Sequence, residues 1–234
     1  MNQKDTVFDS INKQFDEYGY TLSDFLLFQA KRNTSLLNLS TEAHAKFCAI
    51  YQELCKQNVS AQRKGRLLED IVNCLFQDGY RILFDSRRNC RTSTNEIDIL
   101  LLWTDIARNS GVTAAYSFLG DSILCECKNY KKSVDVSYVG KFCSLMHCSG
   151  TNFGCMFAWN GLSGRGKWDA SKGLVRKIVL KDNAYIIAID KNDLHDIYEQ
   201  KANIFSILYR KYEAVKYETD YGQYIQPHEA EGKL

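Results

Sequence analysis

Long apolar runs are missing from this sequence of 234 residues, and none is long enough to cross a lipid bilayer. The first residues, Met1–Asp5, are polar and do not resemble a signal peptide. We therefore expect a cytoplasmic protein without a membrane partner. Proline is almost absent too, and its single copy, Pro227, lies in a polar tail from Glu218 onwards that we expect to be disordered.

Cysteine pairs are the next missing feature. Nine cysteines cannot all pair within one chain, and a cytoplasmic protein keeps its thiols reduced, so no disulfide framework is expected. The sequence has no C-x2-C pair of the kind found in zinc sites. A zinc site could form if Cys125-x-Cys127 were joined by Cys143, Cys148 and Cys155. We favour the alternative, in which buried cysteines act as small apolar residues.

The charges are distributed unevenly along the chain. Residues 60–181 contain 18 Lys and Arg against 11 Asp and Glu, a net charge of +7, whereas the remaining residues contain 12 against 17, a net charge of −5. A basic middle segment favours a polyanionic partner such as DNA, although a solvated charged surface would give the same count.

Apolar spacing predicts an α/β fold. A helix is expected from Ser60 to Gly79, and the strand, helix and strand patterns that follow predict parallel crossovers with helices covering the sheet. A strand at Arg81–Phe84 and a basic turn at Asp85–Asn89 precede the strand that contains Asp98. The predicted parts are a helical segment (1–58), an α/β domain (59–195), and a C-terminal helix with a flexible tail (196–234). The pattern of the final helix itself begins slightly earlier and runs from about Asp193 to Tyr217.

The two central strands carry charge at alternate positions. They are Thr94–Leu100, with Asp98, and Ile123–Asn129, with Glu126 and Lys128. Because side chains alternate between the faces of a strand, Glu126 and Lys128 share one face. If the two strands are neighbours, Asp98 meets them at one spot.

Two carboxylates and an amine in one place suit a hard divalent cation, Mg²⁺ or Mn²⁺, and metal-assisted hydrolysis of phosphodiesters. Asp98 and Glu126 would bind the ion together with the backbone carbonyl of Cys127. Lys128 would orient the attacking water and neutralise developing charge. Glu69, at the border of the apolar stripe of its helix, would bind a second ion or hold water, although a solvated carboxylate is the simpler interpretation. Glu96 competes with Asp98 as a ligand.

The order Glu69, Asp98, Glu126-x-Lys128 resembles the PD-(D/E)XK nuclease superfamily, and its setting resembles the Mrr-like restriction endonuclease branch. The likeness covers about residues 60–195 and includes the later strand, helix and closing strand. It implies a restriction-endonuclease-like mixed β-sheet flanked by helices. It also implies that Asp98 and Glu126 bind the cation and that Lys128 assists the water. Ile97 occupies the position of the proline in the superfamily's name.

Gly161–Lys167 fits the pattern G-x-x-x-x-G-K of a nucleotide-binding loop and lies between a predicted strand and a predicted helix. Trp168 occupies the position where such a loop needs the hydroxyl of Ser or Thr, so we favour a glycine-rich turn that contacts a DNA phosphate. The expected DNA contacts are Lys131, Lys132, Lys141, Ser163, Arg165 and Lys167.

The sequence thus predicts a divalent-metal-dependent endodeoxyribonuclease, with a role in restriction or defence against foreign DNA implied by the resemblance. One alternative is an inactive nucleic-acid-binding protein on the same fold, and a second is a nucleotide-driven protein that uses the Gly161 loop. A homodimer would explain double-strand cleavage, and the two terminal helical segments are the candidates for its contact.

Overall fold

The computed structural model describes residues 3–21, 24, 37–91, 96–165 and 169–222. This part of the chain contains nine α-helices and five strands. The helices are α1 (Gln3–Tyr18), α2 (Thr41–Cys55), α3 (Ala61–Asn73), α4 (Asp105–Asn109), α5 (Val112–Ala115), α6 (Val136–Cys148), α7 (Ala170–Asp182), α8 (Lys191–Tyr198) and α9 (Ile204–Gly222). The strands are β1 (Phe84–Arg91), β2 (Glu96–Trp103), β3 (Ser122–Lys128), β4 (Phe153–Ala158) and β5 (Tyr185–Ile189).

The five strands form one sheet whose spatial order is the same as their order in the chain. β1 pairs with β2 and β2 with β3 in antiparallel fashion, while β3 with β4 and β4 with β5 are parallel pairs. The parallel pairs are connected through α6 and α7, as the strand, helix and strand pattern predicts. This mixed sheet flanked by helices confirms the predicted fold class.

Helices cover both faces of the sheet. On one face α2, α3 and the first turns of α9 join the sheet in a single buried cluster, and on the other face α6 and α7 do the same. The predicted stripe of α3 is buried, and the Ser60 side chain accepts a hydrogen bond from the Arg63 N–H, which explains where that helix begins. A π-helical turn, Cys74–Asp78, extends α3 as far as Gly79. Gly154 lets α6 lie close to β4, because a Cβ there would lie 2.6 Å from the Met146 sulfur.

Several predicted elements differ from the structure. Asp85–Asn89 is not a turn but the middle of β1, an edge strand whose exposed charges hide its strand character. The stretch after Trp103, where Asn109, Ser110 and Gly111 favour a loop, forms α4 and α5 instead. The single C-terminal helix is two helices, α8 and α9, and α9 includes the Glu218–Gly222 part of the tail, so the predicted disorder is wrong there; residues 223–234 lie outside the described residues.

The helices predicted for residues 1–58 are present as α1 and α2, while Leu22 and the apolar residues from Phe25 to Phe28 lie outside the described part. All nine cysteines are free thiols. Among the described residues, no helix combines the length and the apolar character needed to cross a membrane.

Candidate active site

Asp98 and Glu126 lie side by side where β2 and β3 separate. The antiparallel register ends at the pair Ile99 and Cys125, and its continuation by one residue places Asp98 opposite Glu126 on the same face. Beyond that pair the backbone N–H of Cys127 donates to Oδ2 of Asp98 at 2.8 Å. The Asp98 carboxylate is therefore fixed by the backbone of the neighbouring strand.

The ammonium group of Lys128 completes this arrangement. Its Nζ contacts Oε1 of Glu126 and lies 4.0 Å from Oδ2 of Asp98. Although burial lowers the pKa of Lys128, the two carboxylates outweigh it and raise that pKa above its usual range. Lys128 is consequently a charged hydrogen-bond donor near neutral pH and not a base.

Glu126 is more buried than Asp98. Its side chain is only 16% exposed, and among the described residues its buried Oε2 has no hydrogen-bond partner. Burial, followed by the charge of Asp98, raises the pKa of Glu126, and Lys128 offsets this only in part. A buried carboxylate oxygen without a partner carries an unfavourable desolvation energy, so this oxygen is available as a ligand for a cation.

Glu69 approaches the same site from α3. It is half-buried, and burial together with the charge of Asp98 raises its pKa, while Arg88 lowers it. The charge of Glu69 in turn helps to raise the pKa of Glu126. The side chain of Glu96, the competing ligand, lies outside the described residues.

The four groups fit a hard cation. Glu69, Asp98 and Glu126 supply three carboxylates against the single ammonium of Lys128, which leaves a surplus of two negative charges. Oxygen donors of this kind are the ligands that Mg²⁺ and Mn²⁺ prefer. The orphaned Oε2 of Glu126 adds an acceptor that no described protein group satisfies.

Two loops extend from the same end of the sheet as Lys128. The amide of Asn160 donates to the backbone carbonyls of Tyr130 and Lys131 at 2.7 and 3.3 Å, and a backbone bridge joins Val134 to Leu162. The loop after β3 and the glycine-rich loop after β4 are thus held together. The predicted DNA contacts Lys131, Lys132 and Arg165 are exposed on them, and Lys141 is exposed on α6. Lys167 lies outside the described residues.

Ser163 is a DNA-contact candidate whose hydroxyl already takes part in a hydrogen bond. The hydroxyl of Ser171 donates to the carbonyl of Val134 at 2.7 Å. The Ser171 hydroxyl has only one proton, and this bond uses it. In the contact between the Ser163 and Ser171 hydroxyls, which are 2.8 Å apart, Ser163 is therefore the donor. Its role as a phosphate contact stays a prediction and would require this bond to break.

Tyr130 and Tyr138 form an aromatic pair beside the acids. The sequence analysis did not predict this pair. Their ring centroids are 5.1 Å apart, Tyr130 is 39% exposed, and the Lys141 ammonium lies 5.7 Å from the Tyr138 ring. Burial and the hydrogen bond to Tyr138 raise the pKa of Tyr130 to about 12, so its hydroxyl stays protonated. The signal in the sequence was the aromatic residue inside the basic run Asn129–Lys132.

The acidic cluster predicts an unusual pH dependence for the metal-free protein. Because the folded state raises the pKa of Glu126 and Glu69 above the usual 4.5, it binds their protons more tightly than the unfolded state. Their stabilising contribution is present below pH 4.5 and is lost as the pH rises through the raised values. We expect Glu126→Gln to become more stable relative to the wild type as the pH rises, measured by urea unfolding in EDTA.

A control with the opposite sign is available in Glu53. Its pKa is lowered, first by the hydrogen bond from Arg63, so the stability that it contributes is lost as the pH falls. Glu53→Gln should therefore lose stability relative to the wild type as the pH rises. An identical pH dependence in both variants would contradict the assignment.

A comparison with protein families identifies the family to which the chain belongs. The family model Mrr_cat, described as a restriction endonuclease, matches residues 61–196, more than half of the chain. No curated protein and no solved structure matches the chain. The matched segment begins at α3 and contains Glu69, Asp98, Glu126 and Lys128.

Proposed function

Because the chain belongs to the Mrr_cat restriction endonuclease family, the Mrr-like branch of the PD-(D/E)XK nucleases, we propose that it cleaves DNA with a divalent cation held by Asp98 and Glu126. The observation that carries the proposal is the meeting of Asp98, Glu126 and Lys128 at the separation of β2 and β3. The ion is Mg²⁺ or Mn²⁺, since every side-chain donor present is an oxygen.

The residues at the site have different roles in the proposed reaction. When bound, the ion supplies Lewis-acid charge that stabilises negative charge on the phosphate. Asp98, fixed by the Cys127 N–H, keeps its ligand atoms in place before substrate arrives. Lys128, held protonated, donates hydrogen bonds to the attacking water and to the developing charge.

Two further ligand roles belong to the same proposal. The backbone carbonyl of Cys127 adds a hard oxygen donor next to Glu126. Glu69, half-buried and with a raised pKa, holds a second ion or orients the water from the side of α3.

The proposal is tested by incubating the whole chain with supercoiled and linear DNA in Mg²⁺, Mn²⁺ or EDTA. Cleavage with either ion and none with EDTA is expected. DNA binding with a steep dependence on salt but without cleavage would instead favour the inactive binding protein. The nucleotide-driven alternative requires Lys167→Ala to weaken binding of a nucleoside triphosphate, and no change in such binding dismisses it.

A role in defence also belongs to the proposal. Expression of the active chain should reduce the recovery of incoming phage or plasmid DNA, and an Asp98→Asn chain should not.

We also propose that the chain consists of three parts, residues 1–58, 59–195 and 196–234, and that it forms a homodimer to cleave both DNA strands. The apolar faces of α2 and of the first turns of α9 are buried in the monomer, so the dimer contact would use α1 or the exposed Tyr209 and Tyr217 side of α9.

Tyr130 is expected to stack on a base of the bound strand. An aromatic side chain in such a position contributes about 1–3 kcal/mol per base, so Tyr130→Ala should weaken binding of a single-stranded oligonucleotide by about 5- to 150-fold. Tyr130→Phe keeps the ring and should bind nearly as well as the wild type. Binding is measured by fluorescence anisotropy in Ca²⁺.

The matched control for this loss is Tyr20→Ala. Tyr20 is 60% exposed and lies between α1 and α2, outside the segment 61–196 that the family model matches. It should bind like the wild type. Equal losses in Tyr130→Ala and Tyr130→Phe would assign the effect to the hydroxyl and contradict stacking.

A further inference from the structure

Three side chains of different chemistry converge on the helices that cover the second face of the sheet. Cys143 and His147 lie one turn apart on α6, and Asp182 is the last residue of α7. The Cys143 sulfur lies 3.9 Å from Nε2 of His147, and the same nitrogen lies 3.7 Å from Oδ2 of Asp182. One ligand atom from each residue lies within 4.8 Å of the other two.

The pattern of approach distinguishes a cation site from a catalytic relay. In a catalytic triad of nucleophile, imidazole and carboxylate, the nucleophile and the carboxylate contact different nitrogens of the imidazole ring. Here the thiol and the carboxylate both approach Nε2, so the three atoms surround one point. Tetrahedral zinc places such atoms about 3.3–3.6 Å apart, and small side-chain rotations close the difference.

The surroundings favour positive charge at that point. α6 and α7 both end there, and the C-terminus of a helix attracts cations. Asp182 places a further negative charge at the end of its helix, where a carboxylate is unfavourable without a cation.

We propose that Cys143, His147 and Asp182 bind one zinc-type divalent cation that clamps α6 to α7. The donor set is sulfur, nitrogen and oxygen, which selects zinc-type ions, whereas the oxygen-only set at Asp98 and Glu126 selects Mg²⁺ or Mn²⁺. His147 lies eleven residue steps after Val136, which is near the nuclease loops, and is therefore about 17 Å from it along the helix. Water completes the coordination, because the side chain of His147 is 47% exposed.

The test is titration of the metal-free whole chain with Co²⁺, which takes zinc sites and gives a near-ultraviolet absorption band when a thiolate binds it. We expect one equivalent with this band, and Zn²⁺ should displace it. The band should be absent in Cys143→Ser. In His147→Gln, where a half-exposed side chain is changed, the affinity should fall at least about 100-fold.

Two controls separate this site from the other metal ligands and the other thiols. The band should be unchanged in Cys55→Ser, which alters an exposed cysteine on α2, and in Asp98→Asn, which alters the nuclease site. A band that persists in Cys143→Ser, or that Asp98→Asn removes, overturns the proposal. So does the absence of any thiolate band in the wild type.

Discussion

Replacing Asp98 with Asn should reduce DNA cleavage at least about 1000-fold, or about 4 kcal/mol of transition-state stabilisation. The amide keeps an oxygen that can accept the Cys127 N–H, so the end of β3 stays in place. What is lost is the negative charge that the cation requires. The measurement is the initial rate of plasmid nicking in Mg²⁺, normalised to bound DNA.

Stability separates this loss from misfolding. Asp98 repels Glu126 and Glu69 in the metal-free protein, so Asp98→Asn should melt at the same temperature as the wild type or higher in EDTA. Asp121→Asn, an exposed change just before β3, is the matched control and should cleave normally. Cleavage by Asp98→Asn within threefold of the wild type would falsify the site.

Replacing Lys128 with Met should lower cleavage about 100- to 10,000-fold. The side chain keeps much of its apolar stem but loses the ammonium that contacts Glu126 and faces Asp98. Lys128→Arg should also cleave slowly, because a planar guanidinium group cannot take the place of a compact ammonium group. Single-turnover cleavage at saturating enzyme isolates the chemical step from DNA binding.

Lys128→Met should also lower the melting temperature in EDTA, since it leaves two partly buried carboxylates without their cation. The Asp98 and Lys128 variants thus lose activity together while their stabilities move apart. Lys177→Met, an exposed change on α7, is the control for losing one positive charge. If Lys128→Met lost only DNA affinity and kept its single-turnover rate, the proposed role of Lys128 would be wrong.

The central strands could be predicted because the alternation of apolar and polar residues in their sequence follows their burial in the sheet. Ile97, Ile99 and Leu101 alternate with less buried positions along β2, and that period of two placed Asp98 on the face of Glu126. The N-cap Ser60 and the apolar stripe of α3 likewise follow from local rules. The family resemblance then extended these local patterns to a whole domain, and the match over residues 61–196 confirms it.

Other features depend on partners that are distant in sequence. β1 is polar because it lies at the edge of the sheet, where pairing with β2 on one side is enough to fix it. Arg88 donates hydrogen bonds to Asp70 and to the backbone carbonyl of Glu69, which are 18 and 19 residues away in the sequence. No local sequence pattern predicts these bonds. The engagement of Ser163 by Ser171, and the meeting of His147 with Asp182, are likewise products of the packed fold.

The sheet whose strands are arranged in chain order has a consequence for synthesis on the ribosome. Each strand can add to the edge left by its predecessor, so assembly needs no late insertion between strands that are already paired. If the strands pair in chain order, those that carry Asp98, Glu126 and Lys128 are paired before Ile204–Leu208 of α9 can close the cluster that supports them. A chain that lacked α9 would therefore hold Asp98, Glu126 and Lys128 on a sheet with one face partly uncovered, and the addition of α9 is the step that closes that face.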